Sequence, residues 1–285
     1  MYLRKVRRLT VTKFFKYKLT LEYDGSGYRG WQIQENARSV QGTLLMAATE
    51  LFGAEVDIQG AGRTDAGVHA LGQVAHLTVK KALPPPRIKA GLNDLLPAGL
   101  NILRVEQMPG AWHARHDAVS RSYIYIVSRT RTAFGKRYVW WVKDPLNAER
   151  MKEACRLFSG FHDFASFADR RLERNVSTQV QIDAAEIEER GELIIFRVTG
   201  SHFLWKMVRR MVGVLVEAGR GNLTTAAVAA LLVSRSDLPA RLTAPPSGLY
   251  LAQVLYPGDT AAPLTLPPPL VLAGNGKQAT GERER

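Results

Sequence analysis

The stretch QGAGRTDAGVHALGQVAH, residues 59–76, places an arginine, a carboxylate and two histidines in a glycine-rich segment between two apolar runs. Its glycines do not match a phosphate-binding fingerprint, because no G-x-G-x-x-G opens a helix and no G-K-[ST] follows. Glycine permits unusual backbone angles, so the segment can present Arg63, Asp65 and His69 to a ligand. It can equally be a turn in which Asp65 bonds its own backbone before Gly67, and local chemistry leaves both interpretations open.

A distant arginine is a candidate partner for this carboxylate. The segment SHFLWKMVRRMVGVLVEAG predicts a helix from about residue 203 to 218, and the neighbours of Arg209 at helical spacing are tryptophan, valine and glycine. A guanidinium stays charged and is costly to bury unpaired, so we expect Arg209 to meet a carboxylate unless it snorkels to water. Arg210 instead shares its side of the predicted helix with Lys206 and Glu217.

A tyrosine stands at the start of a third apolar segment. Tyr123 lies in RSYIYIV, residues 121–127, which predicts a strand with apolar residues on both faces. Such a tyrosine is commonly a core residue with its hydroxyl tethered, and its ring is also suited to stacking on an unpaired base. The strand alone does not decide between these roles.

The histidines and the cysteine do not indicate a metal centre or a thiol enzyme. The six histidines lack ligand spacings such as H-E-x-x-H and there is one cysteine, Cys155, so we predict no metal site and no intramolecular disulfide. Cys155 falls in the amphipathic pattern NAERMKEACRLFSG, which favours a buried apolar role over a nucleophile. No serine stands in a G-x-S-x-G elbow.

The composition favours a folded, basic protein with a polyanionic partner. The chain has 285 residues, of which 46% are hydrophobic, and its 39 Lys and Arg against 26 Asp and Glu give a net charge of +13. Nucleic acid is the leading candidate partner. No apolar run approaches the ~20 residues of a membrane span, and MYLRKVRRLTVTK lacks the apolar core of a signal peptide. We therefore expect a soluble, cytoplasmic protein.

The surrounding segments alternate between strand and helix patterns. Strict alternation in KYKLTLEYDG predicts a strand, and Ser39 and Gly53 are the expected caps of a helix. Further strands are expected in EVDIQG, QVAHLTV, NILRVEQ, RSYIYIV, VQIDAAEIEE, LIIFRVT and GLYLAQVLY, and further helices from Pro86 to Pro97, over 147–159, over 203–218 and in TTAAVAALLVS. This order predicts an α+β chain with mainly antiparallel sheets.

Four regions follow from these patterns: a basic N-terminal extension (1–13), an N-terminal lobe (14–111), a C-terminal lobe (112–257) and a tail (258–285). The second lobe repeats the kinds of element found in the first, although no internal sequence repeat is visible. The tail is rich in proline and then in polar residues, which predicts disorder.

Eight short motifs follow one another along the chain: YRGWQIQ (28–34), RSVQ (38–41), GRTDAGVHA (62–70), WHARHDA (112–118), RSYIYIV (121–127), FASF (164–167), FLWKMVRRMVG (203–213) and GLYL (248–251). In this order and spacing they resemble the tRNA pseudouridine synthase A family over residues 14–257. The nine-residue run around Asp65 is highly specific.

The resemblance implies a pseudouridine synthase fold, in which two α/β lobes form one continuous, mainly antiparallel sheet with a basic central cleft. It implies that a homodimer isomerises uridine to pseudouridine in the anticodon stem-loop of tRNA, at positions 38 to 40, without a cofactor. It also implies the site. Asp65 would be the catalytic carboxylate paired with Arg209, Tyr123 would stack on the target uracil, and Arg63 would occupy the place of the flipped nucleotide.

The chain departs from the family's usual residues at Trp112, His116, Trp205 and Arg210. The family more often has Phe, an aromatic residue, His or Tyr, and Asn at these positions, respectively. We expect none of the four to touch Asp65, Tyr123 or Arg209, so that only details of RNA contact would change.

The implied reaction suits a single carboxylate. The uracil leaves C1′, turns and rejoins through C5 without redox change, so Asp65 can act either as nucleophile at C1′ or as base at C2′. A planar guanidinium can hold a carboxylate by two hydrogen bonds, which suits Arg209. Two other interpretations remain: an RNA-binding protein without catalysis, in which Asp65 is replaceable, and a synthase that modifies other RNA positions.

Overall fold

A ten-stranded sheet runs through the part of the protein described by the computed structural model, residues 14–169, 177–261, 263 and 266. Its strands are β1 (Phe15–Tyr23), β2 (Asp57–Gly60), β3 (His69–Val79), β4 (Leu100–Met108), β5 (Ser120–Ser128), β6 (Trp140–Trp141), β7 (Gly160–Asp163), β8 (Gln179–Arg190), β9 (Leu193–Gly200) and β10 (Leu249–Leu255). The helices are α1 (Val40–Phe52), α2 (Pro85–Leu95), α3 (Ala148–Arg156), α4 (Met207–Arg220), α5 (Thr225–Val233) and α6 (Leu238–Arg241). The predicted α+β class is confirmed.

The strand order is β4-β1-β3-β10-β5-β9-β8-β7, with β2 paired to β3 and β6 to β5. These pairs are antiparallel except for β10 with β3 and β6 with β5, which are parallel. The late strand β10 lies between β3 and β5 and joins the strands of the two halves of the chain, with Tyr250 opposite His69. It thereby fixes Tyr123, on β5, relative to the loop that precedes β3.

Local sequence explains the first strand and helix. The alternating residues Tyr17, Leu19 and Leu21 of β1 are buried, as their period of two predicts. The side chain of Ser39 accepts a hydrogen bond from the Gly42 amide at the start of α1, and Gly53 ends the helix with a φ of 61°. Both caps were predicted and are confirmed.

The two faces of β5 belong to different apolar clusters. Tyr123 and Tyr125 pack in the larger cluster with residues of α4, whereas Ile124 and Ile126 lie in a smaller one. Burial of both faces agrees with the unbroken apolar pattern of this strand. The alternation directs the Tyr123 ring toward the same side of the sheet as α4.

Helix α4 begins later than predicted. The pattern indicated a start near residue 203, but Lys206 has a φ of 62°, in the left-handed region, and the helix starts at Met207. Trp205 therefore lies in the turn before the helix. Strand β3 begins earlier than predicted, at His69, four residues before the predicted segment QVAHLTV.

Three further expectations concern the rest of the chain. Cys155 is buried in α3, as its amphipathic pattern indicated. Within the described ranges, no helix combines the length and apolar character required to cross a membrane. The predicted extension (1–13) and most of the predicted tail (258–285) lie outside the described residues.

Candidate active site

The loop between β2 and β3 is held at both ends and in the middle. The side-chain amide of Gln73 donates through Nε2 to the Gly62 carbonyl at 2.9 Å. Thr64 is held twice, through a 2.8 Å side-chain hydrogen bond with the Tyr23 hydroxyl and a 3.0 Å bond from the Trp31 amide to its carbonyl. Because the residue before it is fixed in this way, Asp65 is presented from a rigid backbone.

Two glycines permit the path of this loop. Gly67, two residues after Asp65, has a φ of 77°, which L side chains rarely adopt. Gly30, from the YRGWQIQ motif, has a φ of 99°, and a Cβ there would lie 2.6 Å from the Thr64 carbonyl oxygen. The YRGWQIQ motif thus supports the loop by close backbone approach.

His69 secures the far end of the loop. The Gly25 amide donates to His69 Nδ1 at 3.0 Å, Asp24 Oδ1 lies 3.2 Å from the same nitrogen, and Nε2 lies 3.0 Å from the Arg137 carbonyl. Burial lowers the pKa of this imidazole, and its ring stacks on Tyr250 with centroids 4.7 Å apart. Both nitrogens engage the backbone, so His69 positions the loop.

Arg209 reaches the loop from α4. Its Nη1 donates to Asp65 Oδ2 at 3.2 Å, and its Nε donates to the Ala244 carbonyl at 2.7 Å. The Ala244 amide in turn donates to the Arg209 carbonyl at 3.0 Å. The expected meeting of Arg209 with a carboxylate is present, through one hydrogen bond and not the two that its planar fork allows, while Nε binds Ala244.

The second oxygen of Asp65 accepts from a residue that we expected not to touch it. Trp205 Nε1 donates to Asp65 Oδ1 at 2.7 Å, so the expectation that the four departures leave Asp65 untouched is wrong for Trp205. Lys206 has a left-handed φ of 62°, so Trp205 lies in the turn before α4, from which its indole reaches Asp65. Asp65 is thus held on both oxygens from residues 205–209.

Arg210 is directed to a different carboxylate. It is more deeply buried than Arg209, lies 3.5 Å from Asp169 Oδ2 and contacts the Ala168 carbonyl. Lys206 Nζ lies 3.7 Å from the same carboxylate, in agreement with the predicted shared side of the helix. The neighbouring arginines therefore do not compete for Asp65.

Tyr123 lies close to this carboxylate. The residue is 9% exposed, and its ring packs edge-on against Phe203 with centroids 5.0 Å apart. Burial raises the pKa of Tyr123 to about 12, and the charge of Asp65 acts in the same direction against the opposing effect of Arg121. The hydroxyl is therefore protonated at neutral pH.

Arg63 and Arg121 occupy contrasting environments. Arg63 is exposed, next to the buried Thr64, so its side chain is available at the surface of the loop. Arg121 instead donates to backbone carbonyls from four separate places, those of Ala61, Arg115, Ala118 and Ser201. Through these bonds Arg121 joins the start of the loop between β2 and β3 to β5 and to the end of β9. Sequence patterns did not indicate this role.

The titratable groups do not form a metal centre in the ranges described. No cluster of three or more His, Cys, Asp or Glu side chains is placed there to hold a metal ion. The site consists of a carboxylate, two donors that bind it and a neighbouring tyrosine. The Asp65 carboxylate can act as a nucleophile or as a base on a bound substrate.

Comparisons with known proteins agree on one family. The sequence pattern of the family described as "tRNA pseudouridine synthase" matches residues 20–117 and 154–257. The "tRNA pseudouridine synthase A" of Allorhizobium ampelinum is 42% identical over 249 residues, covering 86% of this chain and 96% of the relative. That of Bradyrhizobium diazoefficiens is 40% identical over 244 residues, covering 85% and 99%, respectively.

Rhodopseudomonas palustris has a similar relative of the same description, 41% identical over 244 residues, which cover 85% of this chain and 99% of the relative. Among solved structures, an H/ACA RNP bound to a substrate RNA containing 2′-deoxyuridine shows a TM-score of 0.31 and 9% identity, over 70% of this chain and 53% of that one. That likeness is too low to support a conclusion about this chain.

Proposed function

The chain belongs to the tRNA pseudouridine synthase family and isomerises uridine to pseudouridine in tRNA, and from that premise we propose that Asp65 is its catalytic carboxylate. We further propose that the target uridines lie in the anticodon stem-loop, at positions 38 to 40. The observation that carries the assignment of Asp65 is its contact with Arg209, which belongs to a helix 144 positions away.

The reaction needs no external electron donor. The N1–C1′ bond breaks, the uracil turns within the site, and a C5–C1′ bond forms while the proton on C5 is lost and N1 regains one. Asp65 can attack C1′ or remove the proton at C2′, and both routes need an ionised carboxylate. Arg209 donates to Oδ2 of this carboxylate and places a positive charge beside it in a partly buried site.

Tyr123 and Arg63 are assigned to the substrate. Extruding a stacked base costs a few kcal/mol, and stacking on an aromatic ring returns about 1–3 kcal/mol. Tyr123 is the aromatic residue whose hydroxyl lies near Gly62 in the Asp65 loop, which supports its role under the flipped uracil. Arg63, exposed two residues from Asp65, takes the place that the flipped nucleotide vacates.

The proposal also covers the two lobes, the cleft between them and the oligomeric state. Residues 14–111 and 112–257 form two lobes that share the sheet, with a basic cleft between them for tRNA. The parallel junction of β10 with β3 supports a shared sheet, and the net charge of +13 supports a polyanionic substrate. We assign the chain to a cytoplasmic homodimer that needs no cofactor.

Mapping pseudouridine in cells tests the choice of target. RNA from a strain that lacks the protein, with and without the gene restored, is treated with carbodiimide and read by primer extension. We expect stops at positions 38 to 40 of tRNA only when the gene is present. Loss of stops at another RNA position, with 38 to 40 unchanged, would contradict the proposed target.

A further inference from the structure

Trp205 stands at the open side of the site, in direct contact with Asp65. The residue is 42% exposed and lies in the turn that precedes α4, yet its indole N–H donates to Asp65 Oδ1 at 2.7 Å. Water could also accept a hydrogen bond from an indole exposed to this extent, yet the N–H donates to Asp65. The hydrogen bond therefore affects the Asp65 carboxylate more than it affects burial of the indole ring.

The two donors to Asp65 act on different oxygens. Arg209 binds Oδ2 and Trp205 binds Oδ1. A carboxylate held at one oxygen can still rotate about its last side-chain bond, since that torsion is broad. A second donor at the other oxygen fixes the plane of the group.

The Trp205 indole ring is in turn contacted by Lys206. Lys206 Nζ lies over the Trp205 ring, 4.5 Å from its centroid, and 3.7 Å from Asp169 Oδ2. Lys206 adopts its left-handed conformation between Trp205 and α4, which turns the indole toward the loop. The ion pair with Asp169 thereby anchors the turn that carries the indole.

We infer that Trp205 is a positioning residue for the reaction: its indole N–H fixes the orientation of the Asp65 carboxylate, together with Arg209. This inference rests on the proposed catalytic role of Asp65. It concerns the aim of the carboxylate and not the binding of RNA, so its loss should reduce kcat and leave KM nearly unchanged.

Three variants separate the hydrogen bond from the ring. Trp205→Phe keeps an aromatic side chain without a donor, and Trp205→His restores a ring nitrogen at the corresponding position. Trp141→Phe is the matched control, because Trp141 is similarly exposed but lies on β6 against β5. We expect Trp205→Phe to lower kcat by about tenfold or more with KM and tRNA affinity nearly unchanged, Trp205→His to recover most of the loss, and the control to match wild type. Unchanged kcat in Trp205→Phe, or a loss confined to KM and tRNA affinity, would overturn the inference.

An NMR measurement tests the contact without turnover. The chain has five tryptophans, so [15N]tryptophan labelling gives a small set of indole N–H signals, of which Trp205→Phe removes and identifies one. Asp65→Asn should shift that signal and leave the other four in place, which also shows that the fold persists. A Trp205 signal that ignores Asp65→Asn would overturn the positioning role while the proposed function stands. Full turnover by Asp65→Asn would remove the proposed catalytic role of Asp65 and this inference with it, even if the signal shifts.

Discussion

Asp65 and Arg209 are 144 positions apart in the sequence and are joined by a 3.2 Å hydrogen bond between Oδ2 and Nη1. Asp65 comes from a loop before β3 and Arg209 from α4, so their contact depends on the strands that fix both elements. Arg209 is aimed by two further bonds with Ala244.

Arg209→Lys should reduce activity by about 10- to 100-fold while the protein stays folded. Lysine keeps the charge but lacks the planar fork that bonds Ala244 and Asp65 at once, so the carboxylate loses its alignment. Tritium release from 5-tritiated uridine in tRNA measures the rate, and thermal unfolding checks the fold. Arg241→Lys, at an exposed position of α6, is the control. A wild-type rate for Arg209→Lys would rule out a role for the pair.

Tyr123→Phe should retain activity, because stacking needs the ring and not the hydroxyl. Tyr123→Ala should lose about 1–3 kcal/mol of transition-state stabilisation with the stacking surface. Burial raises the pKa of the Tyr123 hydroxyl to about 12, so ionisation of this group should not shape the rate near neutral pH. The same tritium assay compares the two variants. An inactive Tyr123→Phe would instead assign the hydroxyl to proton transfer from C5.

Arg63→Ala should slow base extrusion more than it weakens tRNA binding. If Arg63 fills the place of the flipped nucleotide, its loss should lower the single-turnover rate by about tenfold. Fluorescence of 2-aminopurine placed beside the target uridine follows the extrusion step directly. Arg104→Ala removes another exposed arginine, on β4, and should leave the step unchanged. Equal extrusion rates in wild type and Arg63→Ala would refute this role.

His76 should make stability depend on pH. Burial, with the nearby His113 and Lys16, lowers the pKa of His76 to about 4, against about 6.5 in an unfolded chain. The unfolded state therefore takes up a proton first, so the stabilisation is complete above about pH 6.5 and is lost as the pH falls toward 4.

His76→Asn is the informative variant, because its side-chain oxygen can still accept from the Ala114 amide, as Nδ1 does now at 3.2 Å. Denaturant unfolding at pH 7.5 and 4.5 should show wild type losing on the order of 1–2 kcal/mol more than the variant between these values. A pH dependence that is the same in both proteins would contradict the prediction.

Periodicity was sufficient for the elements whose burial is regular. Strand β1 alternates and α1 carries a serine cap and a terminal glycine, so local physics and tertiary structure agree. The two-residue strand β6 could not be predicted, because it exists only through its pairing with Val127 and Ser128 of β5. The position of β10 between β3 and β5 likewise depends on long-range pairing.

The site was partly predictable for a related reason. An arginine among apolar helical neighbours indicated a carboxylate partner, and Asp65 lies there. The contact of Trp205 was missed because it joins a turn to a distant loop, and no local pattern gives that distance; Lys206, with its left-handed backbone, places Trp205 in the turn before α4. The four carbonyl bonds of Arg121 involve backbone groups, which leave no mark in the sequence.

We propose that Asp65 carries the chemistry of the isomerisation. Asp65→Asn preserves the shape of the side chain and removes its charge, and Asp94→Asn is the control at an exposed position of α2. Tritium release from 5-tritiated uridine in tRNA is measured together with tRNA binding. We predict that Asp65→Asn abolishes release while binding persists and that Asp94→Asn behaves as wild type. Normal tritium release by Asp65→Asn would refute the catalytic role of Asp65.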